Sequence, residues 1–217
     1  MLQDTFRHQG LRRKLVEELK TKGITSATVL SAIGNIPRHS FLDNAFLEMA
    51  YLDRAFPIDC DQTISQPFTV AYQTQLLEPQ RGEKILEIGT GSGYQSAVLA
   101  ETGAKVFSIE RHKPLYEITK KLLSDLNYHN VKCFYGDGFK GISAYAPFDK
   151  ILVTCGAPEI PKALIDQLKT GGMMVIPVGP LLAEQIMTIV LKKANGEHEI
   201  IELDKFRFVP MLVNKAR

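Results

Sequence analysis

Three glycines at alternate positions, Gly89, Gly91 and Gly93, carry the clearest chemical signal in the chain. They end a short run of β-branched and aliphatic residues, 84–89, which predicts a buried parallel strand. They come just before residues 95–101, whose composition favours a helix. Glycine allows a tight turn between strand and helix and lets the backbone approach a ligand closely. This order of elements predicts a nucleotide-binding turn at the three glycines.

The spacing of these glycines indicates which nucleotide the turn would hold. In the dinucleotide fingerprint the third glycine comes three residues after the second, whereas Gly93 comes two residues after Gly91. Glu87, inside the strand, suits a ligand with an ammonium group better than it suits a diphosphate. The pattern Glu-x-Gly-x-Gly-x-Gly resembles the first motif of the S-adenosylmethionine-dependent methyltransferases. The spacing disfavours a dehydrogenase, and a glycine-rich turn that binds nothing is the remaining alternative.

Acidic residues stand at the ends of the next two predicted strands. In an open α/β sheet, ligands bind beyond the carboxyl ends of the strands. Glu110 closes the strand at 105–110, where its carboxylate can accept hydrogen bonds from both ribose hydroxyls. Asp137, followed by Gly138, comes after the strand at 131–135 and is placed to receive the adenine amino group. The alternatives are an ordinary solvated charge at Glu110 and a plain turn at Asp137.

The sequence contains no constellation for acid–base or covalent catalysis. The segment 91–93 lacks the frame of a hydrolase nucleophile elbow. The histidines are scattered, none at metal-ligand spacing, and are expected to be surface or capped residues: His8, His39, His112, His129 and His198. A carboxylate acceptor, with a pKa near ~4, would need no general base, because it is already an anion at neutral pH. A protein acting on it need only align the reacting atoms and exclude water, for which one well-placed hydroxyl could suffice.

Strands and helices alternate from residue 81 onward, which predicts a mostly parallel sheet covered on both faces. The turn Asn195-Gly196 predicts a hairpin, so the sheet should finish antiparallel. The strands are expected at 84–89, 105–110, 131–135, 149–154, 173–177, 185–192 and 199–209. The helix after the strand at 105–110 should have the apolar face Leu115, Ile118, Leu122 and Leu126. A helix over 161–168 should stop at Gly171-Gly172.

The N-terminal part reads as helical and irregular pieces around this core. Leu11, Leu15 and Leu19 predict an amphipathic helix that ends near Gly23. A second helix should begin at a cap formed by Thr25 or Ser26, and residues 62–67 should be a turn into a helix with Pro67 in its first turn. We expect one domain over residues 1–217, with 1–80 as a helical extension and substrate-loop segment and 81–217 as the nucleotide-binding core.

The composition of the chain limits the classes of protein and the cellular compartments that it fits. The 217 residues, 45% of them hydrophobic, can bury a substantial core. Lys and Arg number 26 against 24 Asp and Glu, which argues weakly against a nucleic-acid partner. Cys60, Cys133 and Cys155 are odd in number and widely spaced, so neither a disulfide framework nor a metal site is predicted. The longest apolar run, 171–183, is too short to span a bilayer. We expect a soluble, cytoplasmic monomer.

Several segments outside the glycine motif closely resemble the protein-L-isoaspartate (D-aspartate) O-methyltransferase family. The resemblance runs from the N-terminal helices to within a few residues of the end. It is carried by residues 62–67 (Gln-Thr-Ile-Ser-Gln-Pro), 86–95, 136–138 (Gly-Asp-Gly), 157–158 with Pro161, 168–172 with 175–179 (Val-Ile-Pro-Val-Gly), and 207–210 (Arg-Phe-Val-Pro). Two departures are Thr154-Cys155-Gly156, where the family usually has small alanines, and Met211-Leu212 near the cofactor.

The resemblance implies a Rossmann-like S-adenosylmethionine-dependent methyltransferase that methylates the α-carboxylate of L-isoaspartyl residues in damaged proteins and so initiates their repair. Ser65 matches the family's active-site serine, which would orient the acceptor carboxylate; its alternative is a helix N-cap, and one residue can do both. The implied substrate residues are Thr63, Ile64, Pro67, Val209 and Pro210. The implied cofactor residues, for S-adenosyl-L-methionine and its product S-adenosyl-L-homocysteine, are Glu87, Gly89, Gly91, Gly93, Glu110, Asp137 and Gly138.

Two other functions stay open at this point. One is a methyltransferase that acts on a different acceptor, such as a small molecule or RNA. The other is a non-catalytic module that keeps the cofactor fold in order to bind damaged chains or a partner protein.

Overall fold

The computed structural model describes residues 3–181 and 183–216, and in this part of the chain seven strands form one sheet beside a separate two-stranded hairpin. The helices are α1 (Phe6–Thr21), α2 (Ala27–Asn35), α3 (Pro67–Leu77), α4 (Tyr94–Glu101), α5 (Lys113–Asp125) and α6 (Lys162–Gln167). The strands are β1 (Phe56–Ile58), β2 (Gln62–Ile64), β3 (Lys84–Ile88), β4 (Lys105–Glu110), β5 (Val131–Tyr135), β6 (Phe148–Val153), β7 (Leu168–Val178), β8 (Gln185–Lys192) and β9 (His198–Phe206).

The large sheet has the order β5-β4-β3-β6-β7-β8-β9. Strands β3 to β7 pair in parallel, whereas β8 and β9 pair antiparallel to their neighbours. These pairings confirm the prediction of a mostly parallel sheet that finishes in an antiparallel hairpin. The chain builds outward from β3 to β5 and then returns to place β6 on the other side of β3. The strand order therefore reverses between β3 and β6, which is where open α/β sheets bind ligands.

The pleat of β3 directs its side chains to two different faces. Ile85 packs in a cluster with Leu99 of α4, while Leu86 and Ile88 pack in a cluster with Leu164 of α6. Because side chains alternate along a strand, Glu87 points to the same face as Ile85, toward α4. The strand is buried on both faces, and this explains its continuous apolar sequence.

The N-terminal extension packs on the outer side of α4. Leu19, Ile33 and Ile64, from α1, α2 and β2, share one buried cluster with Tyr94 and Val98 of α4. This cluster joins the extension to α4, and the division of the chain into domains stays a prediction. Among the described residues, no helix combines the length and the apolar character that crossing a membrane requires.

The N-terminal helix boundaries agree with the predicted caps. Ser26 caps α2, where its side chain accepts a hydrogen bond from the Val29 amide. Pro67 begins α3, as its fixed φ and missing N–H favour. The helix predicted from Leu11, Leu15 and Leu19 runs from Phe6 to Thr21, with Thr5 as its N-cap, and so ends near Gly23 as predicted.

Two predictions about local structure before α6 are wrong. Residues 62–64 were expected to be part of a turn, but they form β2, which pairs antiparallel with β1. The expected buried stripe of α5 included Ile118, which is 54% exposed. Thr119 is buried instead, and its hydroxyl donates a hydrogen bond to the Gly91 carbonyl at 2.6 Å. This bond rotates α5 so that Thr119 faces the glycine turn.

The expected glycine stop after α6 is also wrong. Helix α6 ends at Gln167 and β7 begins at the next residue, so Gly171-Gly172 lie inside the strand. The pairing of β6 with β7 changes register in this region. A Cβ on Gly172 would lie 2.7 Å from the Asp149 carbonyl oxygen, so the glycine permits a close backbone approach in an irregular strand. Strand β9 ends at Phe206, which leaves Val209 and Pro210 beyond the sheet.

Candidate active site

A cavity of about 750 Å³ lies at the carboxyl ends of β3, β4 and β6, at the reversal point of the sheet. This volume includes space that is open to solvent. Its walls come from the segment after β1, the glycine turn, the ends of β4 and β6 and the C-terminal segment. The lining residues are Gln62, Thr63, Ile64, Ser65, Val70, Ile88, Gly89, Thr90, Gly91, Ser92, Tyr94, Gln95, Ile109, Glu110, Arg111, His112, Gly138, Thr154, Cys155, Val209, Pro210, Met211 and Leu212.

The glycine turn requires glycine at its first and last positions. Gly89 has a φ of +96° and Gly93 a φ of +85°, values that side chains strongly disfavour. A Cβ on Gly89 would also lie 2.6 Å from the Thr154 hydroxyl oxygen, and one on Gly93 would lie 2.6 Å from a methyl carbon of Thr119. The turn is thus held closely between β6 on one side and α5 on the other. Gly89 and Gly91 line the cavity, whereas Gly93 lies behind it.

Glu110 is the acidic group that the structure places directly on the cavity. Its side chain is nearly buried, with 4% of the residue exposed. One carboxylate oxygen accepts a hydrogen bond from the Gly91 amide at 2.9 Å and the other from the His112 amide at 2.8 Å. An ionised carboxylate can accept about four hydrogen bonds, so two positions are left for a ligand. This geometry fits the two hydroxyls of a ribose.

Asp137 does not line this cavity but lies next to it. Its two oxygens accept hydrogen bonds from the Phe139 and Asn214 amides, both at 3.0 Å. It faces a neighbouring cavity that shares Ile109 with the first, and Gly138 lines the first cavity itself. Asp137 therefore joins the end of β5 to the C-terminal segment while keeping lone pairs that could accept a further donor.

The structure does not bring Glu87 to the cavity. The residue has no exposed surface, and one of its oxygens accepts a hydrogen bond from the Ser96 hydroxyl of α4. The other oxygen has no hydrogen-bond partner among residues 3–181 and 183–216. Burial raises the pKa of the Glu87 carboxyl to about 7. Glu87 joins β3 to the first turn of α4, so it braces the two ends of the glycine turn from behind.

Ser65 offers a free hydroxyl at the mouth of the cavity. The residue is half-buried and lies between β2 and α3, beside Thr63 and Ile64, which also line the cavity. Its hydroxyl makes no hydrogen bond within the part of the chain that the structure describes. The N-cap of α3 is Gln66, so the alternative role of Ser65 as the cap is not the one observed. Pro67, the other predicted residue here, is buried in the first turn of α3 and does not line the cavity.

Val209 and Pro210 form the opposite wall. The Gly156 amide donates to the Val209 carbonyl, and the Met211 amide donates to the Gly156 carbonyl, both at 2.8 Å. Because backbone groups of an extended segment alternate in direction, the Pro210 carbonyl and the Leu212 amide point to the other side. Neither has a backbone partner within the described ranges. One edge of this segment is therefore open to another extended chain.

The end of β6 supplies residues that the sequence marked only as departures. The Thr154 hydroxyl lies 2.9 Å from the Ile88 carbonyl oxygen and 2.7 Å from that of Gly89, so it anchors the glycine turn. Cys155 lines the cavity, but burial raises the pKa of its thiol to about 12. The thiol is therefore protonated at neutral pH and is a poor nucleophile.

The histidine prediction is wrong at His39, whereas His112 is partly exposed. His112 lines the cavity, and His39 is fully buried with its ring nitrogen 2.7 Å from the Tyr51 hydroxyl. Asp4, His8 and His39 bring ligand-type atoms within 4.8 Å of one another. However, the Asp4 carboxylate already accepts hydrogen bonds from Arg12 at 3.0 and 3.1 Å. The centroids of the two imidazole rings lie 4.0 Å apart, with the ring planes tilted by 31°. These contacts attach α1 to the turn at 38–41, away from the cavity.

Comparison with known proteins shows which family the chain belongs to. The family model described as protein-L-isoaspartate(D-aspartate) O-methyltransferase matches residues 10–216. The chain belongs to this family. A protein-L-isoaspartate O-methyltransferase of Christiangramia forsetii is 57% identical over 99% of this chain and 100% of its own length. Another, of Dictyoglomus thermophilum, is 47% identical over 96% of this chain and 94% of its own length.

Solved structures of the family have the same architecture. One protein-L-isoaspartate O-methyltransferase is 31% identical with a TM-score of 0.82, and the match covers 94% of this chain and 66% of that longer chain. A Plasmodium falciparum β-aspartate methyltransferase, solved in complex with S-adenosyl-L-homocysteine, is 24% identical with a TM-score of 0.82 over 94% of this chain and 99% of its own. The predicted family and the Rossmann-like fold are both confirmed.

Proposed function

We propose that this chain transfers a methyl group from S-adenosyl-L-methionine to the α-carboxylate of L-isoaspartyl residues in damaged proteins and peptides, the first step in their repair. The observation that carries this proposal is the Ser65 hydroxyl, which has no protein partner among the described residues and lies at the mouth of a nucleotide-type cavity. A neutral hydroxyl can orient a carboxylate by donating a hydrogen bond without neutralising its charge.

The cavity has the features that S-adenosylmethionine requires. The turn at Gly89 and Gly91 lets backbone approach the ligand, and Glu110 has accepting positions for the ribose hydroxyls. Asp137 and Gly138 border the place where β5 ends, which suits the adenine. When bound, S-adenosylmethionine supplies an electrophilic methyl group on a sulfonium sulfur. We therefore assign cofactor binding to these residues and a bracing role behind the turn to Gly93 and Glu87.

The acceptor needs alignment rather than activation. Its carboxylate, with a pKa near ~4, is ionised at neutral pH, so no residue has to remove a proton. Ser65 holds the carboxylate through its hydroxyl, while the apolar walls formed by Ile64 and Met211 exclude water from it. Alignment of this kind is worth several powers of ten in rate when the reacting atoms are held in contact.

The backbone of the C-terminal segment supports recognition of a peptide rather than a small molecule. The Pro210 carbonyl and the Leu212 amide are spaced to accept from and donate to the same residue of an extended substrate chain. Main-chain hydrogen bonds of this kind do not depend on the side chains of the substrate. This arrangement fits an enzyme whose substrates share one altered linkage but differ in sequence, and it favours a peptide over RNA or a small acceptor.

The test compares two peptides that differ only in one isoaspartyl linkage, each incubated with labelled S-adenosylmethionine, and counts base-labile methyl ester. Label in the isoaspartyl peptide alone is expected. Equal labelling of both peptides would support another acceptor, and tight peptide binding without labelling or release of S-adenosylhomocysteine would support a binding module. Ser65→Ala should lose about 10- to 100-fold in turnover while binding S-adenosylhomocysteine almost normally. Ser124→Ala, an exposed serine on α5, is the control.

Three further assignments complete the proposal: a cytoplasmic location, a monomeric state and no nucleic-acid partner. Cys60, Cys133 and Cys155 are all unpaired, which fits a reducing compartment. A net charge of +2 is too small for the basic surface that nucleic-acid binding requires. Size-exclusion chromatography with light scattering tests the monomer directly.

A further inference from the structure

Asp53 is a buried carboxylate that lies outside the cavity and contacts the segment that carries Ser65. It follows the short helical turn Asn44–Met49, and only 2% of its side chain is exposed. One oxygen accepts a hydrogen bond from the Phe68 amide at 2.7 Å. The other accepts from the Gln66 side-chain amide at 2.9 Å and from the Lys22 ammonium at 2.6 Å. A buried carboxylate with three donors is an organised contact rather than an incidental one.

These bonds replace a cap that α3 does not supply for itself. Gln66, at the N-cap position, makes no side-chain cap hydrogen bond, and Pro67 has no amide hydrogen. Asp53 satisfies the first free amide of the helix, that of Phe68, from a segment 15 residues earlier in the chain. A negative charge at a helix N-terminus is also favoured by the helix dipole. The first turn of α3 thus depends on Asp53 for its position.

Ser65 lies between two fixed points, and Asp53 holds one of them. On the preceding side, Ile64 is buried and pairs with Phe56 in the β1–β2 hairpin. On the following side, Asp53 holds Gln66 and Phe68. The Ser65 hydroxyl itself has no partner within residues 3–181 and 183–216. The position from which the Ser65 side chain projects is therefore set by the backbone between the two fixed points.

Lys22 completes the arrangement from the end of α1. Its ammonium bonds both Asp53 and Glu18, each at 2.6 Å. The hydrogen bond to Asp53 is the main cause that raises the pKa of Lys22, followed by the bond to Glu18. A buried carboxylate is costly without a partner of opposite charge, and Lys22 supplies that partner for Asp53.

We propose that Asp53 is a positioning residue that sets the orientation of the Ser65 hydroxyl toward the acceptor carboxylate. This inference rests on the role proposed above for Ser65. Asp53 touches neither substrate nor cofactor. Its effect on the reaction passes through the backbone of residues 64–68, so its loss displaces Ser65 and leaves the glycine turn and Glu110 unchanged.

The test is a double-mutant cycle of Asp53→Ala with Ser65→Ala, measured as kcat and KM for an isoaspartyl peptide and as Kd for S-adenosylhomocysteine. Asp53→Ala alone should lower kcat about 10-fold or more, since a small displacement of a positioning group is that costly. Binding of S-adenosylhomocysteine should change less than about twofold. In the Ser65→Ala background, Asp53→Ala should cause no further fall in kcat, because residues that act as a unit are not additive.

Two variants separate positioning from stability. Asp53→Asn keeps one oxygen for the Phe68 amide, so its kcat should lie between those of Asp53→Ala and the wild type. If Asp53→Ala does not fold, Asp53→Asn replaces it in the double-mutant cycle. Asp43→Ala removes a comparable bond, from the Ala45 amide at 2.8 Å, without touching α3, and it should leave kcat unchanged.

The proposal is overturned if the two substitutions are additive in kcat, or if cofactor binding falls in parallel with turnover. Wild-type turnover in Ser65→Ala would overturn the role of Ser65 and this inference together. If Ser65→Ala lowers kcat but the effects of the two substitutions on kcat are additive, only the role of Asp53 is overturned.

Discussion

Glu87 provides the sharpest quantitative test of how the glycine turn is built. The carboxyl is fully buried, bonded by Ser96, and no cation lies among its hydrogen-bond partners in the described chain. Burial raises its pKa from an ordinary 4.5 to about 7. Since each pH unit corresponds to about 1.4 kcal/mol, the ionised form costs the folded state about 3 kcal/mol relative to the protonated form.

The direction of the pH effect follows from where the proton is held. Between pH 4.5 and about 7 the unfolded chain loses the Glu87 proton while the folded chain keeps it. The free energy of unfolding should therefore fall as the pH rises through this window and become level above it. Glu87→Gln keeps an acceptor for Ser96 but has no proton to lose. Its stability should lack this contribution at every pH.

Urea unfolding of the wild type and Glu87→Gln at pH 5, 6, 7 and 8 measures the effect, because other titrations cancel in the difference. The variant's stability minus that of the wild type should rise by about 2–3 kcal/mol from pH 5 to pH 8. A difference that stays constant within about 0.5 kcal/mol would show that Glu87 titrates normally. At pH 6, S-adenosylhomocysteine should bind both proteins within about threefold. A loss of tenfold or more would instead make Glu87 a direct ligand of the cofactor.

Three further substitutions test the site. Gly93→Ala should cost about 1–3 kcal/mol in urea unfolding and weaken S-adenosylhomocysteine binding, whereas Gly196→Ala, which has the same φ of +85° with no atom within 4 Å, should leave binding unchanged. Glu110→Gln cannot accept from both amides, so calorimetry should show binding weakened about 10- to 100-fold, and unchanged affinity would exclude Glu110 as a ligand. Asp137→Asn weakens the hold on Asn214, so the peptide KM should rise about tenfold in steady-state assays; an unchanged KM would contradict this anchor.

Local sequence signals were sufficient for the main elements of the fold and failed where two distant segments meet. Local patterns of residues close together in sequence were enough to predict three features: the glycine turn, the alternating strands and the Asn195-Gly196 hairpin. Residues 62–64 become a strand only because β1 lies beside them. The pair Gly171-Gly172 is compatible with the end of a helix and with an irregular strand. The close approach of the Asp149 carbonyl, which no local pattern shows, is what favours the strand.

The same limit applies to the site. The strand-end rule located Glu110 directly, because it needs only the end of one strand. It did not find His112 or Thr154 as lining residues, since that requires knowing which strands are neighbours. For Glu87, β3 is buried on both faces, so its apolar pattern does not tell which face the carboxylate takes. Asp53 contacts residues 13 and 15 positions away, and no sequence pattern connects them.

The C-terminal segment proposed to face the peptide is anchored to the strand ends that line the proposed cofactor cavity. Gly156, just after β6, holds residues 209–211 by two backbone bonds. Asp137, just after β5, holds the Asn214 amide, and the Arg111 guanidinium, just after β4, donates to the Asn214 carbonyl at 3.2 Å. Strand ends on both sides of β3 therefore fix the height of this segment above the glycine turn. In the reaction proposed above no residue has to transfer a proton, so the fold's proposed contribution is the distance between the Ser65 hydroxyl, the C-terminal segment and the cofactor cavity. The fold keeps that distance by anchoring the segment to the strand ends that form the cavity, and by holding Ser65 between the β1–β2 hairpin and Asp53.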